Sequence, residues 1–494
     1  MPERGRLGLN ILEYLRPGLE LSADRIAVRD RNTQYRAREL VSRARRLGKT
    51  LADLGVSGKA VGVVAGRNAD TVVSILAVLF AGAYYVPIDP DAPEGKKAAI
   101  FSESRMRVLI GPEGGAPAFD GAYVAYDDLA DEECPYPSTD ADAPLSVFYT
   151  SGSTGKPKGV RKSHAAMIAF VESYAREFGF DAADVVGNQT PFFFDASSKD
   201  LYAALRFGMT LEILPAELFA MPPSLIEYMN ERRVSVIAWV PTALSVVAQV
   251  KTFSYVKPLY LKKVFFVGEV MPAKTLNVWM DALPGAEFVN LYGSSEMAGV
   301  CCFYRATRRL EAGETLPIGK PLAHCRVTLE RPDGGAITAP GETGEIVAES
   351  PSLADGYESD GERTRARFRE RNGVRAFYTG DLARYDADGN LVFVSRSDFQ
   401  IKHMGRRVEL GEIEAAADGL GPVRECACVY DAEKKRISLF CALLPGGDAT
   451  PKDIRALLKP LLSAYMLPGR VVILDALPRN ANGKIDRNTL SNIP

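Results

Sequence analysis

Short β-branched runs alternate with stretches of helical apolar spacing along most of this chain. From about Arg25 to Ile318, runs such as AVGVVAG, VSVIAWVP and KKVFFVGEV stand between helical patterns, and that alternation predicts an α/β domain with largely buried sheets. Between Ile318 and Val394 the strands shorten and are punctuated by PDGG, PGETGE and DADGN, turn chemistry that predicts a β-rich subdomain. Beyond Asp398 a small α+β pattern follows. No internal repeat, low-complexity tract or long linker separates the parts, so the expected domains, 1–397 and 398–494, should meet at a tight hinge. One apolar stretch, Thr71 to Ile88, is eighteen residues without a charge, which just reaches membrane-spanning length. Gly82 and Pro87 interrupt it, and a buried helix turning into a buried strand is the expected reading.

Composition narrows the function. A chain of 494 residues is too long for one ordinary core and implies roughly two to four domains or subdomains. Its 60 basic and 62 acidic residues leave a net charge of -2, so bulk electrostatics favours neither nucleic acid nor an acidic membrane, and a small-molecule ligand is expected. Seven scattered cysteines form no disulfide framework, and the opening MPERGRLGLNILEYLRPG has no sustained apolar segment; a reducing cytoplasm and no membrane insertion are expected. Only His164, His324 and His403 occur, which argues against a histidine triad or a multi-histidine metal site. Cys301–Cys302 and Cys426/Cys428 lack paired C-x-x-C spacing and read as packing residues.

The chemistry begins with Tyr149 to Val160, YTSGSTGKPKGV. Glycines permit close backbone approach to a ligand, hydroxyls at Ser151, Ser153 and Thr154 add donors, and Lys156 and Lys158 add positive charge. The common P-loop pattern G-x-x-x-x-G-K-[ST] does not fit. Thr150 stands where its first glycine belongs, and Pro157 replaces the hydroxyl after the lysine. Alone, the stretch reads as a phosphate cradle, with a solvated turn as the lesser alternative.

Its companions decide the matter. In order the chain gives LFAGAYYVPIDP, YTSGSTGKPKGV, FDASSKD, NLYGSSE, TGEIVAESPSLADGY, YTGDL, SRSDFQIKHMGRRVELGEIE and NANGKIDR. The set resembles the adenylate-forming superfamily, specifically the amino-acid adenylation domains of nonribosomal peptide synthesis and the stand-alone D-alanine–carrier protein ligases, over nearly the whole chain. The resemblance implies an α/β fold whose large N-terminal domain holds two helix-covered sheets plus a β-rich subdomain, followed by a small mobile α+β domain. It implies ATP and Mg²⁺ as cofactors, adenylation of an α-amino acid with release of pyrophosphate, and transfer to the phosphopantetheine thiol of a carrier protein. That carrier is expected to be separate, because no carrier signature follows Arg487.

By the same resemblance, Thr150, Ser151, Gly152, Ser153, Thr154, Gly155, Lys156 and Lys158 would hold phosphates. Asn290, Leu291, Tyr292, Gly293, Ser294, Ser295 and Phe393 would surround the nucleotide, with Tyr292 stacking on adenine. Glu296 would bind Mg²⁺, Asp381 would accept from both ribose hydroxyls, and Arg396 would approach from the hinge side. Lys484 would bridge the substrate carboxylate and the α-phosphate, Asp398 would be the hinge, and Gly405 would line the thiol tunnel. Taken alone, Asp381 and Arg396 read as a surface salt bridge, and Lys484 as a solvated lysine.

Asp195 stands where amino-acid activators bind the substrate ammonium, because a buried carboxylate needs a cationic partner. The rest of the pocket would comprise Ala196, Lys199, Ala238, Phe265, Val267, Leu291, Gly299 and Val300, with the bulk of Phe265 and Leu291 disfavouring an aromatic substrate. Lys199 follows Asp195 by four residues and would share a helix face with it. It reads either as the partner of an acidic substrate side chain or as an internal pair with Asp195, Asp200 or a nearby glutamate. The pattern departs from the family at Ser294–Ser295 and Ser395, where Pro-Thr and glycine are usual. Two alternatives stay open: an acyl- or aryl-CoA ligase of the same fold, and a nonenzymatic nucleotide-binding protein.

Overall fold

The β-branched runs form strands and the stretches of helical spacing form the helices between them. The computed structural model describes residues 8–150, 157–311, 314–371, 373–396, 400–479 and 485–493, with the Asn488 side chain left aside. The expected motif residues Ser151, Gly152, Ser153, Thr154, Gly155, Lys156, Asp398 and Lys484 lie outside the described residues. The chain divides into two units, one of Met1–Pro90, Glu103–Phe148 and Gly159–Ser397, the other of Asp91–Ser102, Tyr149–Lys158 and Asp398–Pro494.

The first unit matches the expected α/β class. A nine-stranded sheet is parallel through six neighbouring strands, Glu287–Tyr292, Lys263–Val267, Val236–Trp239, Val185–Asn188, Thr210–Ile213 and Ile26–Arg29, with antiparallel strands at both edges. A seven-stranded sheet runs from Gly356–Tyr357 through Lys158–Ser163, Pro144–Thr150, Tyr84–Ile88 and Ala60–Val64 to Val108–Gly111 and Ala122–Ala125. Strands buried on both faces need continuous apolar runs, and Ala60–Val64 and Val236–Trp239 are buried at every position. The predicted β-rich region is a six-stranded antiparallel sheet centred on Thr343–Glu349 and Val374–Tyr385.

The apolar stretch Thr71–Ile88 is a buried helix, Ala69–Phe80, followed by the strand Tyr84–Ile88. Asn68 caps the helix by accepting from the Thr71 amide, and Gly82 turns the chain out at φ +70°. Among the described residues no helix is long and apolar enough to cross a membrane.

The second unit holds a hairpin, Gln400–His403 and Arg406–Glu409, whose loop residues Met404 and Gly405 sit at φ 52° and 76°. Two positive φ values in a two-residue loop are the type I′ geometry that favours glycine at the second place. A sheet of Val423–Asp431, Arg436–Leu443 and Arg470–Leu474 follows, packed on the helices Leu410–Asp418 and Pro451–Leu458 through Ile413, Leu439, Ile454 and Leu458.

In the first unit the helix Ser197–Phe207 carries the pocket sequence and packs on the helix Ile11–Leu21. Their approach is set by Gly18, where a Cβ would fall 2.0 Å from the Arg206 carbonyl oxygen. Gly18→Ala is therefore expected to overpack the joint and cost about 1–3 kcal/mol. A denaturation midpoint equal to that of the parent protein would contradict this close packing.

Candidate active site

Among the described residues nominated by sequence, Ala238, Val267, Asn290, Leu291 and Tyr292 lie towards the carboxyl ends of parallel strands of the nine-stranded sheet, the usual place for ligands in open α/β sheets. Ala238 pairs in register with Phe265, and Val267 with Leu291. After Tyr292 the chain makes a tight loop in which the Cys301 amide donates back to the Tyr292 carbonyl at 2.8 Å. The loop closes only because Gly293 lacks a side chain, since a Cβ there would stand 1.8 Å from the Gly299 carbonyl oxygen. Gly299 itself takes φ +139° against the Phe170 ring. The turn Ser295–Met297 then buries Glu296 completely.

Around this loop lies a polar network. The Tyr292 hydroxyl donates to Asp381 Oδ2, and the Arg396 guanidinium donates to Asp381 Oδ1. Asp381 and Arg396 are register partners on adjoining antiparallel strands. Thr379 Oγ1 accepts from the Asp381 amide at 3.0 Å and donates to the Ile346 carbonyl at 2.9 Å. The side chains of Asp381 and Arg396 are 6% and 11% exposed, so the pair is buried and the surface salt bridge is excluded. Burial, with Asp381 beside it, raises the Tyr292 phenol well above its usual range and keeps it a donor. Its ring belongs to the apolar cluster of Val160, Met297 and Cys301. Each Asp381 oxygen already accepts one protein donor and retains a second lone pair.

Glu296 Oε1 accepts from the Tyr357 hydroxyl at 2.9 Å. No group of three or more potential protein metal ligands occurs among the described residues. A single hard carboxylate fits Mg²⁺ only where phosphate oxygens and water complete the shell. Thr150 Oγ1 and Ser294 Oγ are buried without hydrogen-bond partners among the described residues. Asn290 Nδ2 donates to the Pro317 carbonyl at 2.8 Å, and Phe393 packs on the β-rich core. In the second unit, Lys158 lies 3.6 Å from Glu409 Oε1.

The surroundings of Asp195 differ from expectation. The Lys162 ammonium donates to Asp195 Oδ1, so the carboxylate has an internal cation. Lys162 is fully buried and lies 5.3 Å from the centre of the Phe148 ring. Burial lowers its pKa, while Asp195 and, behind it, Glu296 oppose that shift. The sequence reading missed Lys162. Its signal was a lysine in GVRKS, inside a strand buried at every position but Arg161, since such a lysine requires a partner.

Of the two readings of Lys199, the internal pair is the one formed, with Asp200 as the partner and not Asp195. The helix begins after Ala196, leaving Asp195 outside it, so the expected shared face does not form. Lys199 donates to the Ala196 carbonyl at 3.0 Å and the Ala238 carbonyl at 3.3 Å, and pairs with Asp200 at 3.1 Å. These three acceptors match its three donors. Asp200 also accepts from Asn188 Nδ2 at 3.1 Å, and its pKa is raised chiefly by burial. Phe265 sits in an aromatic cluster, its ring centroid 4.9 Å from that of Phe178, while Leu291 and Val300 are buried in the same core.

The AMP-binding enzyme family model matches residues 19–358, and the AMP-binding enzyme C-terminal domain matches 412–484. One plipastatin synthase polypeptide of Bacillus subtilis (strain 168) is 32% identical over 487 residues, covering 95% of this chain and 19% of that protein. Syringomycin synthase SyrB1 of Pseudomonas syringae pv. syringae is 31% identical over 488 residues, covering 94% and 79%. Tyrocidine synthase 1 of Brevibacillus parabrevis is 29% identical over 500 residues, covering 98% and 45%. The chain thus spans less than half the length of two of these three relatives. The structure of holo-PA1221, an NRPS protein containing adenylation and PCP domains bound to a vinylsulfonamide inhibitor, superposes with a TM-score of 0.85 at 27% identity, covering 97% of this chain and 84% of that one.

The internal Lys199–Asp200 pair generates a stability prediction. Lys199→Met is expected to destabilise the protein by about 3–5 kcal/mol by stranding a buried carboxylate. Lys199→Met with Asp200→Leu should recover a large part of that loss in chemical denaturation. A single variant as stable as the parent would refute the pairing.

Proposed function

The chain belongs to the AMP-binding enzyme family, and from that premise we propose that it activates an α-amino acid with ATP and passes the product to a carrier thiol. The substrate carboxylate oxygen attacks the α-phosphorus, the bond to pyrophosphate breaks, and an aminoacyl adenylate forms. The phosphopantetheine thiol of a separate carrier protein then attacks the carbonyl carbon, and AMP leaves. The observation that carries this reading is the buried Tyr292–Asp381–Arg396 network beside Glu296, a built polar site at the end of a parallel sheet.

In this reading Asp381 offers its remaining lone pairs to the ribose while the Arg396 guanidinium donates to its Oδ1. The hydroxyls of Thr150 and Ser294, buried without a partner among the described residues, each support a ligand contact on their own segment. Glu296 would hold Mg²⁺, which when bound neutralises phosphate charge. Residues 1–397 form the ATP- and amino-acid-binding core and 398–494 the moving domain, with Asp398 as hinge and Gly405 at the thiol route. Phe265 and Leu291 fill volume, which favours a small amino acid over an aromatic one, while Lys199, satisfied by three protein acceptors, lends no support to an acidic one. Seven cysteines that form no disulfide support a reducing cytoplasm.

A second reading, an acyl- or aryl-CoA ligase, is favoured by Ser294–Ser295 and by the internal cation on Asp195. A nonenzymatic nucleotide-binding protein would bind ATP without supporting exchange.

Exchange of labelled pyrophosphate into ATP, across a panel of amino acids and other carboxylic acids, tests the proposal. Lys484→Ala is expected to slow adenylation about 10²- to 10³-fold by removing charge stabilisation at the α-phosphate. Transfer from a supplied aminoacyl adenylate to carrier thiol should survive. Exchange with no carboxylic acid at all would refute adenylation, and equal loss in both half-reactions would refute the separate role of Lys484.

A further inference from the structure

Lys162 is a charged residue in the candidate site that the proposed chemistry does not use. It reaches Asp195 from the strand Lys158–Ser163, and its side chain is 0% exposed against 9% for Asp195. Its described partners are Asp195 Oδ1 and the Phe148 ring face. Lys199 has three acceptors of its own and points to Asp200 and the Ala238 carbonyl, so it does not compete for Asp195.

Among the described residues, other ionisable groups facing the pair come from three elements. Glu296 acts on Lys162 from the Ser295–Met297 turn. Tyr85, on Tyr84–Ile88, and Tyr202, on Ser197–Phe207, lie near Asp195, and their hydroxyls meet at 3.0 Å. Burial raises the pKa of both phenols, that of Tyr85 to about 12, so neither brings a charge. Asp195 and Lys162 therefore cancel locally, and Asp195 Oδ2 is the oxygen left to face a substrate.

We propose that Lys162 is the resident counter-cation of the amine subsite and determines its specificity, letting the site accept carboxylic acids with an uncharged α-substituent alongside α-amino acids. This rests on the reading that Asp195 faces the substrate's α-position. A substrate ammonium would have to share one carboxylate with Lys162, and two like charges on one poorly solvated anion repel each other. An α-hydroxyl donates to Asp195 Oδ2 without that repulsion. Removing Lys162 leaves a carboxylate for which a substrate ammonium is the matching partner.

The test compares the amino acid giving the fastest pyrophosphate exchange with its α-hydroxy and des-amino analogues. The wild-type protein is expected to use the amino and hydroxy acids with kcat/KM values within about tenfold of each other. Lys162→Met should raise the preference for the amino acid by at least about tenfold, the scale of one close charge–charge repulsion partly screened by protein. The change should appear in KM for the acid, with KM for ATP unaltered. Lys162→Arg, which keeps the cation, should retain the wild-type ratio. Lys162→Met with Asp195→Asn removes both charges and should bring the ratio back towards wild type, a check that holds even if the single variant folds poorly. A ratio that stays constant or falls in Lys162→Met, or fails to return in the double variant, overturns the role of Lys162 alone. A wild-type protein silent with every acid overturns the adenylation reading and this inference with it.

Discussion

A charge removed from water needs a partner inside the protein, and this constraint organises the site. The carboxyl ends of the parallel strands collect Asp195, Asp200, Glu296 and Asp381 at positions that are buried or nearly so. Each is met by a donor from another segment or a neighbouring residue: Lys162, Lys199, Tyr357, and Tyr292 with Arg396. The pairings hold the nine-stranded sheet to its neighbours. Lys162 and Tyr357 come from strands of the seven-stranded sheet, and Asp381 from the antiparallel one. A loop that lost its partner would expose the other segment's charge to a low-dielectric surrounding, a penalty of several kcal/mol.

Backbone geometry is the second requirement. Glu296 and Tyr292 reach their partners because the loop that carries them folds back on itself at Gly293 and Gly299, where a Cβ would collide with a carbonyl oxygen and with the Phe170 ring. The sequence showed these glycines but not their reason. A glycine needed for close approach looks the same in a sequence as one in a loose turn, and only the facing backbone distinguishes them.

Alternation of β-branched and helical patterns made the fold class legible, since buried parallel strands cannot conceal their composition. The turn-rich stretch likewise announced the antiparallel sheet, and Gly82 with Pro87 correctly turned a candidate span into a helix and strand. Charge partners were not legible in the same way. Lys162 and Asp195 are 33 residues apart, and Asp381 meets a tyrosine 89 residues away. Spacing reports only local neighbours. Even locally the sequence left Lys199 open between Asp195, Asp200 and a substrate group, and the pair with Asp200 forms because the helix starts after Ala196 and brings three closer acceptors to the lysine.

The two buried lysines show how satisfaction separates structural charges from functional ones. A buried ion pair is weak evidence for stability, because apolar residues of similar volume often serve as well or better. Lys199 spends all three donors within the protein, and its pair with Asp200 is further anchored by Asn188. Such a pair fixes the start of a helix and offers nothing to a ligand. Lys162 has a single described acceptor, Asp195 Oδ1, and rests on an aromatic face. An arrangement that leaves polar capacity unused at a sheet's carboxyl edge is costly for folding alone, and it becomes intelligible when the missing contacts are supplied by what binds there.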